Sequence, residues 1–459
     1  MSYRLPLIGH RDLDRAIAWR NGMPVSAACF IVEAERLAAM LPPGTHILNL
    51  CEDRYRFMVG LAATLLAGRT TLLPPNRTEQ MLDQMAEANP ACTALADEPV
   101  PGAPFPVKVF AGGQAREALA TEVPSIAGDH IAAIVYTSGS TGTPQPSLKR
   151  WANLVAGAHA ERSALGLASS EACNFLGTVP PQHMYGLEST VIMPMMTGGA
   201  IHPGRPLLAL DVKRALESLP APRVFVTTPI HIRALLSSHV TLPPVELIVS
   251  AAAPLPPEVA AEMEQRYRTR VAEIYGCSES GMVAARRPTA SPAFRTMPNV
   301  RLECEGSTSL FTGGHVHGRV PVGDLLRKVS ADEFVLEGRA SDMINIAGKR
   351  ASLGDLNHKL LAIPGVRDGT FHVPESPDGQ VVRLLAFVVA PGLSTKRILA
   401  ALRRSVDPAF LPRPLLKVDR LPRAATGKLP LDALRALAME AERATPTASP
   451  GSRVSGDGG

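Results

Sequence analysis

Within residues 46–74 a buried strand, a helix and a second buried strand follow one another closely, and this order constrains the fold most strongly. HILNL (46–50) predicts a buried strand, residues 54–68 have helical periodicity, and TTLLP (70–74) predicts another strand. A further helix is predicted over about 27–40. Strand–helix–strand at this spacing is a βαβ unit, and it predicts a parallel sheet covered by helices.

The same alternation recurs further along the chain. HIAAIVYTSG (130–139) predicts a strand that enters a Gly/Ser/Thr loop, with a helix from about Trp151. RVFVTT (223–228) and VELIVSA (245–251) predict short strands, each followed by a helical stretch. Over 300–337 the pattern changes to short strands and turns. The predicted class is therefore α/β, with a large N-terminal domain of parallel-rich sheets and helices.

A domain boundary is predicted at Gly338–Ser341. The ranges that follow from it are 1–338 for the large domain and 339–443 for a small, mobile α+β lid domain. Residues 444–459 have the Gly/Ser/Pro-rich composition of a disordered tail. Within the small domain the pattern predicts helices near 353–361 and 396–402, a strand at 384–390 and a last helix from Leu431.

The charge distribution excludes some classes of protein. The formal net charge is +5, and no basic run with interleaved aromatics appears, which argues against nucleic acid binding. The charge is concentrated C-terminally, because residues 339–459 hold 18 basic and 11 acidic residues. The longest apolar run, near 57–68, is roughly half the length needed to span a bilayer. With six cysteines and no CxxC pair, the sequence predicts a cytoplasmic protein that does not enter a membrane.

The most specific segment is YTSGSTGTP (136–144). Two glycines allow a tight turn with inward N–H groups, and four hydroxyl side chains add donors, so a loop of this kind after a buried strand suits phosphate oxygens. It is not a P-loop, because GxxxxGK[ST] does not fit. An ordinary Ser/Gly surface turn is the alternative, and the length of the matching string favours the phosphate loop.

This loop resembles the signature loop of the adenylate-forming superfamily, which includes acyl-CoA synthetases and peptide-synthetase adenylation domains. Other segments resemble that family's motifs in the same order over roughly residues 25–440. They are PPQHMYGLE (180–188), VSAAAPLPPEV (249–259), IYGCSESG (274–281), VGDLLR (322–327), GRASDMINIAGKR (338–350) and LPRAATGK (421–428). The resemblance implies an AMP-forming acid–thiol ligase that uses ATP and Mg²⁺. The chain resembles more loosely the ligases that load hydroxybenzoate-type starters in aryl-polyene and xanthomonadin pathways.

The resemblance assigns the nucleotide site residue by residue. A loop for the β- and γ-phosphates of ATP is implied, and Glu279 would help to hold Mg²⁺. Tyr275 would stack on adenine, Asp324 would accept the ribose hydroxyls, and Arg339 would contact the ribose. The remaining nucleotide-binding candidates are Thr137, Ser138, Gly139, Ser140, Thr141, Gly142, Gly276 and Ser278.

The same resemblance implies the substrate and acceptor sites. Lys428 would bridge the substrate carboxylate and the α-phosphate, and His183 would line the acid pocket as a second catalytic candidate. The small residues Ser250, Ala251 and Ala252 would line the pocket too, which favours a small aromatic acid and leaves a fatty acid as the alternative. Ala347 and Gly348 would line the tunnel for a thiol, either of CoA or of an acyl-carrier protein. The positive C-terminal region suits either acceptor, and an ordinary solvated basic face explains it equally well.

Two positions depart from the family pattern. Gln145 stands where the family usually has a lysine at the end of the phosphate loop, and Ser341 stands at the usual hinge aspartate, with Asp342 after it. Whether Lys149 reaches the site is left open. A non-catalytic nucleotide- or acyl-binding relative is therefore the alternative to a ligase. The pair His315 and His317 lacks further ligands and predicts a turn region instead of a metal site.

Overall fold

The chain divides into two compact units, which are described separately. The first spans Met1–Asp342 and the second begins at Met343. This computed structural model describes residues 3–110, 120–138, 144–167, 172–305, 308–339, 343–346, 349–374, 383–424 and 429–444. The predicted domain ranges 1–338, 339–443 and 444–459 stay predictions, and the tail from 445 onward lies outside the described residues.

The first unit alternates strands and helices. Its strands are β1 (Arg4–Pro6), β2 (Ala16–Arg20), β3 (Met23–Ser26), β4 (His46–Asn49), β5 (Thr70–Leu73), β6 (Cys92–Ala96), β7 (Val107–Val109), β8 (Ser125–Ala127), β9 (Ile131–Ser138), β10 (Pro144–Arg150), β11 (Asn174–Gly177), β12 (Ala200–Ile201), β13 (Arg223–Thr227), β14 (Leu247–Ser250), β15 (Arg270–Cys277), β16 (Gly281–Arg286), β17 (Phe294–Thr296), β18 (Val300–Glu305), β19 (Thr308–Gly313), β20 (Arg319–Val322), β21 (Asp324–Lys328) and β22 (Glu333–Arg339). Its helices are α1 (Ala27–Ala39), α2 (Arg54–Leu66), α3 (Glu79–Ala88), α4 (Trp151–Ala164), α5 (Met184–Leu187), α6 (Met193–Thr197), α7 (Ala209–Glu217), α8 (Pro229–Ser238) and α9 (Pro257–Tyr267), with a π-helical turn at Glu188–Ile192 between α5 and α6.

The predicted βαβ unit is confirmed. In a six-stranded sheet of order β10-β9-β5-β4-β6-β7, β4 pairs in parallel with β5, placing His46 opposite Thr70. Helix α2 joins these two strands and is buried over most of its length. Strand β10 returns antiparallel to β9 and forms one edge of the sheet.

A second, eleven-stranded sheet has the order β21-β22-β17-β16-β15-β14-β13-β11-β12-β2-β3. Strands β11, β13, β14 and β15 run parallel, and β16 then returns antiparallel to β15. The carboxyl ends of neighbouring parallel strands meet at one edge of a sheet. Thr178, Thr227, Ser250 and Tyr275 consequently come to the same edge, although they are far apart in the sequence.

Local chemistry sets the helix starts. The Ser26 hydroxyl accepts from the Cys29 N–H at 3.2 Å to begin α1, and the Asp53 carboxylate accepts from the Arg56 N–H at 2.9 Å to begin α2. Both helices place fully buried phenylalanines, Phe30 and Phe57, in the main core. Within the described part of the chain, no helix is long and apolar enough to cross a membrane.

The smaller sheets are separate. In the first unit β1 pairs with β8, and β18, β19 and β20 form an antiparallel sheet, which confirms the short strands predicted over 300–337. The second unit contains β23 (Met343–Ile346), β24 (Lys349–Ser352), α10 (Leu353–Leu361), β25 (Asp368–His372), β26 (Leu385–Val389), α11 (Thr395–Leu402), a 3₁₀ turn (Pro408–Phe410), β27 (Leu415–Lys417) and α12 (Leu431–Ala444). It has its own core, which includes Leu360, Phe371 and Ile398.

Candidate functional site

The predicted phosphate loop follows β9. Thr137 lies in β9 opposite Gln145 of β10, and Ser138 lies opposite Pro144. Thr137 is half-buried and Gln145 is exposed. Gly139, Ser140, Thr141 and Gly142, which would form the turn itself, lie outside the described residues. The structure thus shows the two strands that carry the predicted loop.

The segment that carries Ser278 and Glu279 joins β15 to β16. Gly276 is required here, because a Cβ at this position would lie 2.2 Å from the Gly281 carbonyl oxygen. Gly281 adopts φ +76°, a left-handed conformation that favours glycine. Ser278 is half-buried and Glu279 is exposed, so the tight hairpin presents the Glu279 carboxylate at its tip.

Two side chains of β10 bind this tip. The Ser147 hydroxyl donates to the Ser278 carbonyl at 3.1 Å, and the Lys149 ammonium donates to the Glu279 carbonyl at 2.8 Å. Successive side chains of a strand point to opposite faces, so Gln145, Ser147 and Lys149 share one face of β10. Direct hydrogen bonds therefore join the predicted phosphate-loop hairpin to the backbone of the segment that carries Glu279, the predicted metal ligand.

Buried charges surround this contact. Lys149 is 6% exposed, and burial lowers the pKa of its ammonium group while nearby carboxylates oppose that shift. Burial raises the pKa of Glu188 to about 7, and Lys149 opposes that shift. Burial also raises the pKa of Glu161 to about 8, although its carboxylate accepts a 2.5 Å hydrogen bond from the Ser189 hydroxyl. We call Lys149, Glu188 and Glu161 the buried charge cluster.

Glu188 and His315 also contact β16. Glu188 Oε2 accepts from the Met282 N–H at 2.9 Å, and a Cβ on Gly281 would lie 2.5 Å from Glu188 Oε1. His315 Nε2 lies 2.7 Å from the Met282 carbonyl oxygen, and burial lowers the pKa of the ring. His315 thus contacts the backbone of β16, and the prediction that it is no metal ligand stays a prediction.

Tyr275 and Asp324, both predicted to bind the nucleotide, are hydrogen-bonded to each other. The Tyr275 hydroxyl donates to Asp324 Oδ2 at 2.6 Å. Its ring is buried among Phe294, Phe311 and Phe334, with ring centroids 5.5–6.0 Å away. In the β21–β22 pair, Arg339 lies opposite Asp324. These residues are brought together as predicted, and the roles of Tyr275 at adenine and of Asp324 at ribose stay predictions.

The predicted acid-pocket residues lie at the carboxyl edge of the eleven-stranded sheet. Ser250 ends β14 and is fully buried, Ala251 is 5% exposed, and Ala252 is exposed with φ +74°. Half-buried His183 occupies the position just before α5. Next to it, the Tyr185 hydroxyl lies 3.0 Å from the carbonyl oxygens of Thr227 and Val249. The α5 segment is thereby tied to the ends of β13 and β14.

Arg54 supports the same edge from beneath. It is 1% exposed and donates all its N–H groups to neutral oxygens within 2.7–3.3 Å. We call these acceptors the carbonyl cage: the carbonyls of Gly177, Val179, His202 and Gly204 and the hydroxyl of Thr190. The cage holds the end of β11 and the chain leading to His183.

Besides Gly139, Ser140, Thr141 and Gly142, three more predicted functional residues lie outside the described part of the chain. They are Lys428, Ala347 and Gly348, so their roles stay predictions. Ser341 and Asp342, the predicted hinge positions, are likewise outside it.

A magnesium ion fits the donor set. In the described ranges, no group of three or more His, Cys, Asp or Glu side chains is placed to hold a metal ion. Mg²⁺ is usually held by one or two carboxylates together with waters and substrate phosphates. A single exposed carboxylate, Glu279, beside a predicted phosphate loop fits that mode and does not fit an all-protein zinc site.

Sequence reasoning missed the buried charge cluster and the carbonyl cage. Glu188 has a signal in the sequence, because it is the one charged residue in the stretch MYGLESTVIMPMM (184–196). Arg54 begins α2 and Glu161 lies within α4. Both helices have an ordinary composition, so only their burial distinguishes these two residues.

Known proteins that are similar to this chain indicate its family. The model of the AMP-binding enzyme family matches residues 32–304. A 4-coumarate–CoA ligase of Rhodobacter capsulatus is 29% identical over 275 residues, 60% of this chain and 67% of the relative. A salicylyl-CoA synthase / salicylate adenylyltransferase of a Streptomyces species is 25% identical over 353 residues, 66% of this chain and 62% of the relative. The chain thus matches about two thirds of the length of these relatives.

Solved structures share the fold. The anthranilate CoA ligase AuaEII in complex with anthranoyl-AMP superposes with a TM-score of 0.80 at 16% identity, covering 96% of each chain. ATP-bound MatB from Rhodopseudomonas palustris gives a TM-score of 0.78 at 20% identity, covering 93% of this chain and 96% of that one. The predicted α/β class with a large and a small domain is confirmed, as is the prediction of an adenylate-forming enzyme. Because the family model covers more than half of its length, the chain belongs to the AMP-binding enzyme family.

Proposed function

We propose that this enzyme couples ATP to the activation of a small aromatic carboxylic acid, forming an acyl-adenylate and pyrophosphate. The acyl group then passes to the thiol of CoA or of an acyl-carrier protein. The reaction needs N–H and hydroxyl donors around the transferring phosphates and a hard cation beside them.

The observation that carries this proposal is the contact between two hairpins. Hydrogen bonds from Ser147 and Lys149 bring β10, the strand paired with β9, beside the segment Ser278–Glu279. Thr137 and Ser138 enter the proposed phosphate loop from β9, and Ser278 offers a hydroxyl to the α-phosphate. Glu279 would hold Mg²⁺, which when bound neutralises the charge that develops on the phosphates.

The nucleoside would bind next to this contact. An ionised carboxylate accepts both ribose hydroxyls well, and Asp324 is oriented for this by the hydrogen bond from Tyr275. Gly276 lets β15 lie close to β16, because a Cβ at this position would meet the Gly281 carbonyl oxygen. Arg339, opposite Asp324 in the β21–β22 pair, would contact the ribose.

Small residues at the end of β14 support an aromatic acid. The small side chains of Ser250, Ala251 and Ala252 would leave room beside the strand ends, and His183 at the start of α5 would line the pocket. The relatives named above support this class, because their names specify coumarate, salicylate and anthranilate. A hydroxybenzoate fits the same reasoning, and a fatty acid is the competing substrate.

The second unit would supply the acceptor site. We assign Lys428 to the substrate carboxylate and the α-phosphate, and Ala347 and Gly348 to the pantetheine tunnel. The excess of basic residues over 339–459 suits CoA phosphates or an acidic carrier protein.

The test is carboxylate-dependent exchange of labelled pyrophosphate into ATP with Mg²⁺, run across hydroxybenzoates, cinnamates and fatty acids. We expect exchange with one aromatic class. Lys428→Ala should abolish exchange while ATP still binds, and exposed Lys417→Ala in the same unit is the matched control. Exchange with fatty acids alone would overturn the aromatic assignment. Silence across the panel, with ATP bound, would replace the ligase with a non-catalytic relative.

A further inference from the structure

Lys149 is a buried cation for which the proposed reaction has no direct use. A buried ammonium group is costly unless its donors and its charge are matched, and its place in a fold therefore needs a reason. Lys149 lies at the far end of β10 from the phosphate loop, and its Nζ donates to the Glu279 carbonyl at 2.8 Å.

The segment it contacts is held at both ends. Ser147 and Lys149 bind the carbonyls of Ser278 and Glu279, and Glu188 accepts from the Met282 N–H at 2.9 Å. Within the segment, the Ser280 hydroxyl donates to the Gly281 carbonyl at 2.8 Å. The backbone of residues 278–282 is thus bound from β10 on one side and from the π-helical turn on the other.

The Glu279 side chain itself is exposed, so its direction depends on this backbone and on its contact with the Cys277 thiol. A carboxylate that must meet a metal ion is effective only when its backbone is already oriented. Glu188 lies close enough for its charge to attract Lys149, which favours the cationic form of the ammonium group.

We propose that Lys149 is a positioning residue: by holding the Glu279 carbonyl, it keeps the segment 278–282 in the pose that presents the Glu279 carboxylate to a magnesium-bound nucleotide. The part of this inference that concerns the nucleotide rests on the proposed function. Its structural half, the holding of the segment, is independent of any ligand.

The first readout is therefore made without ligand. Hydrogen exchange is measured on the full chain for the amides of residues 277–283 in the wild type, Lys149→Met and Lys328→Met. Lys328 is the matched control, because its Nζ also donates to a backbone carbonyl, that of Leu302 at 3.1 Å, but at the surface. We expect Lys149→Met to accelerate exchange at least tenfold in this segment alone, and Lys328→Met to leave it unchanged.

The second readout is ATP binding by calorimetry with and without Mg²⁺. Lys149→Met should weaken binding at least tenfold in the presence of Mg²⁺ and less than threefold in its absence. In a Glu279→Gln background Lys149→Met should add no further loss, because Lys149 acts through that carboxylate. Lys149→Arg, which keeps a donor, should recover most of the magnesium-dependent affinity.

Three outcomes would overturn the proposal: unchanged exchange in the segment, acceleration spread evenly over the first unit, or equal losses of ATP affinity with and without Mg²⁺. If Lys149→Met does not fold, Ser147→Ala takes its place, because it loosens the same segment. Hydrogen exchange in the segment and magnesium-dependent ATP affinity should then change two- to threefold, and the same outcomes would overturn the proposal. Wild-type protein that shows no pyrophosphate exchange refutes the ligase proposal alone, since both readouts above can still be taken.

Discussion

Among the described residues of the first unit, the buried Arg and Lys side chains are Arg54 and Lys149, and their surroundings differ. Arg54 donates every side-chain N–H to a neutral oxygen of the carbonyl cage. Lys149 donates to one carbonyl, that of Glu279, and the charge of buried Glu188 attracts it, while buried Glu161 interacts electrostatically with Glu188. A planar guanidinium with five donors can be satisfied by carbonyls alone, whereas a compact ammonium group needs nearby negative charge.

This difference separates a framework site from an adjustable one. The acceptors of the carbonyl cage are neutral and do not change charge with pH. Burial lowers the pKa of Arg54 to about 10. In the buried charge cluster, the pKa values of about 7 and about 8 place the titration of both carboxylates near neutrality. The cage should therefore contribute a constant stability, and the cluster a stability that depends on pH.

The largest effect is expected at the cage. Arg54→Met would leave four carbonyls, two of them buried and two half-buried, without their donor, and each buried unsatisfied group costs about 1–3 kcal/mol. We expect a loss of at least about 3 kcal/mol in the free energy of unfolding, or failure to fold. Urea unfolding measures this, with exposed Arg301→Met as the control. A loss no larger than that of the control would show that the cage adds nothing to stability.

A smaller, pH-dependent effect is expected from Glu161→Gln. Burial raises the pKa of Glu161 from 4.5 to about 8, so between these values the folded state holds a proton that the unfolded chain releases. Stability therefore falls as pH rises through this window, and the glutamine removes that loss. Relative to the wild type, the variant should gain about 2–3 kcal/mol between pH 6 and pH 8.

Urea unfolding at pH 6, 7 and 8 checks this difference. Exposed Glu262→Gln is the matched control and should show no such trend. If the gap between Glu161→Gln and the wild type stays constant with pH, Glu161 is not the buried acid that the cluster requires.

A still smaller effect is the coupling between Lys149 and Glu188. Above the pKa of about 7, Glu188 is ionised and attracts the ammonium group. A double-mutant cycle of Lys149→Met and Glu188→Gln should give a coupling of about 1 kcal/mol at pH 8.5 and little at pH 5.5. Thermal unfolding of the four proteins at both pH values measures it. An equal coupling at both values would mean that the pair interacts through packing instead of charge.

The smallest effect is expected from Ser147→Ala, which removes the 3.1 Å hydrogen bond to the Ser278 carbonyl. One such bond contributes about 0.5–1.5 kcal/mol, so the shift in the unfolding midpoint should be slight. Thr312→Val, which removes a hydroxyl hydrogen bond to Glu303 on β18, is a control remote from the tip. A loss above that range would place Ser147, and not Lys149, at the centre of the contact.

Much of the fold could be predicted because its signals are local. Strand–helix–strand over 46–74 needs only the periodicity of apolar residues, and it appears as β4, α2 and β5. The motifs around Ser138, Glu279 and Asp324 were recognised by their residue types and order, which do not depend on distant contacts.

The contacts between those motifs could not be predicted. Nothing in the spacing of Lys149 and Glu279, 130 residues apart, shows that one donates to the other's carbonyl. Arg54, likewise, is an ordinary charged residue at the start of a helix until the ends of β11 and β12 surround it.

The sequence by itself therefore determined the α/β class, the family and the residue types of the site, because periodicity and short motifs carry that information. Only the tertiary structure decided which charges are buried and what surrounds them. Burial and hydrogen bonding depend on the approach of segments that are remote in sequence, and these in turn set the pKa values of Glu161 and Glu188.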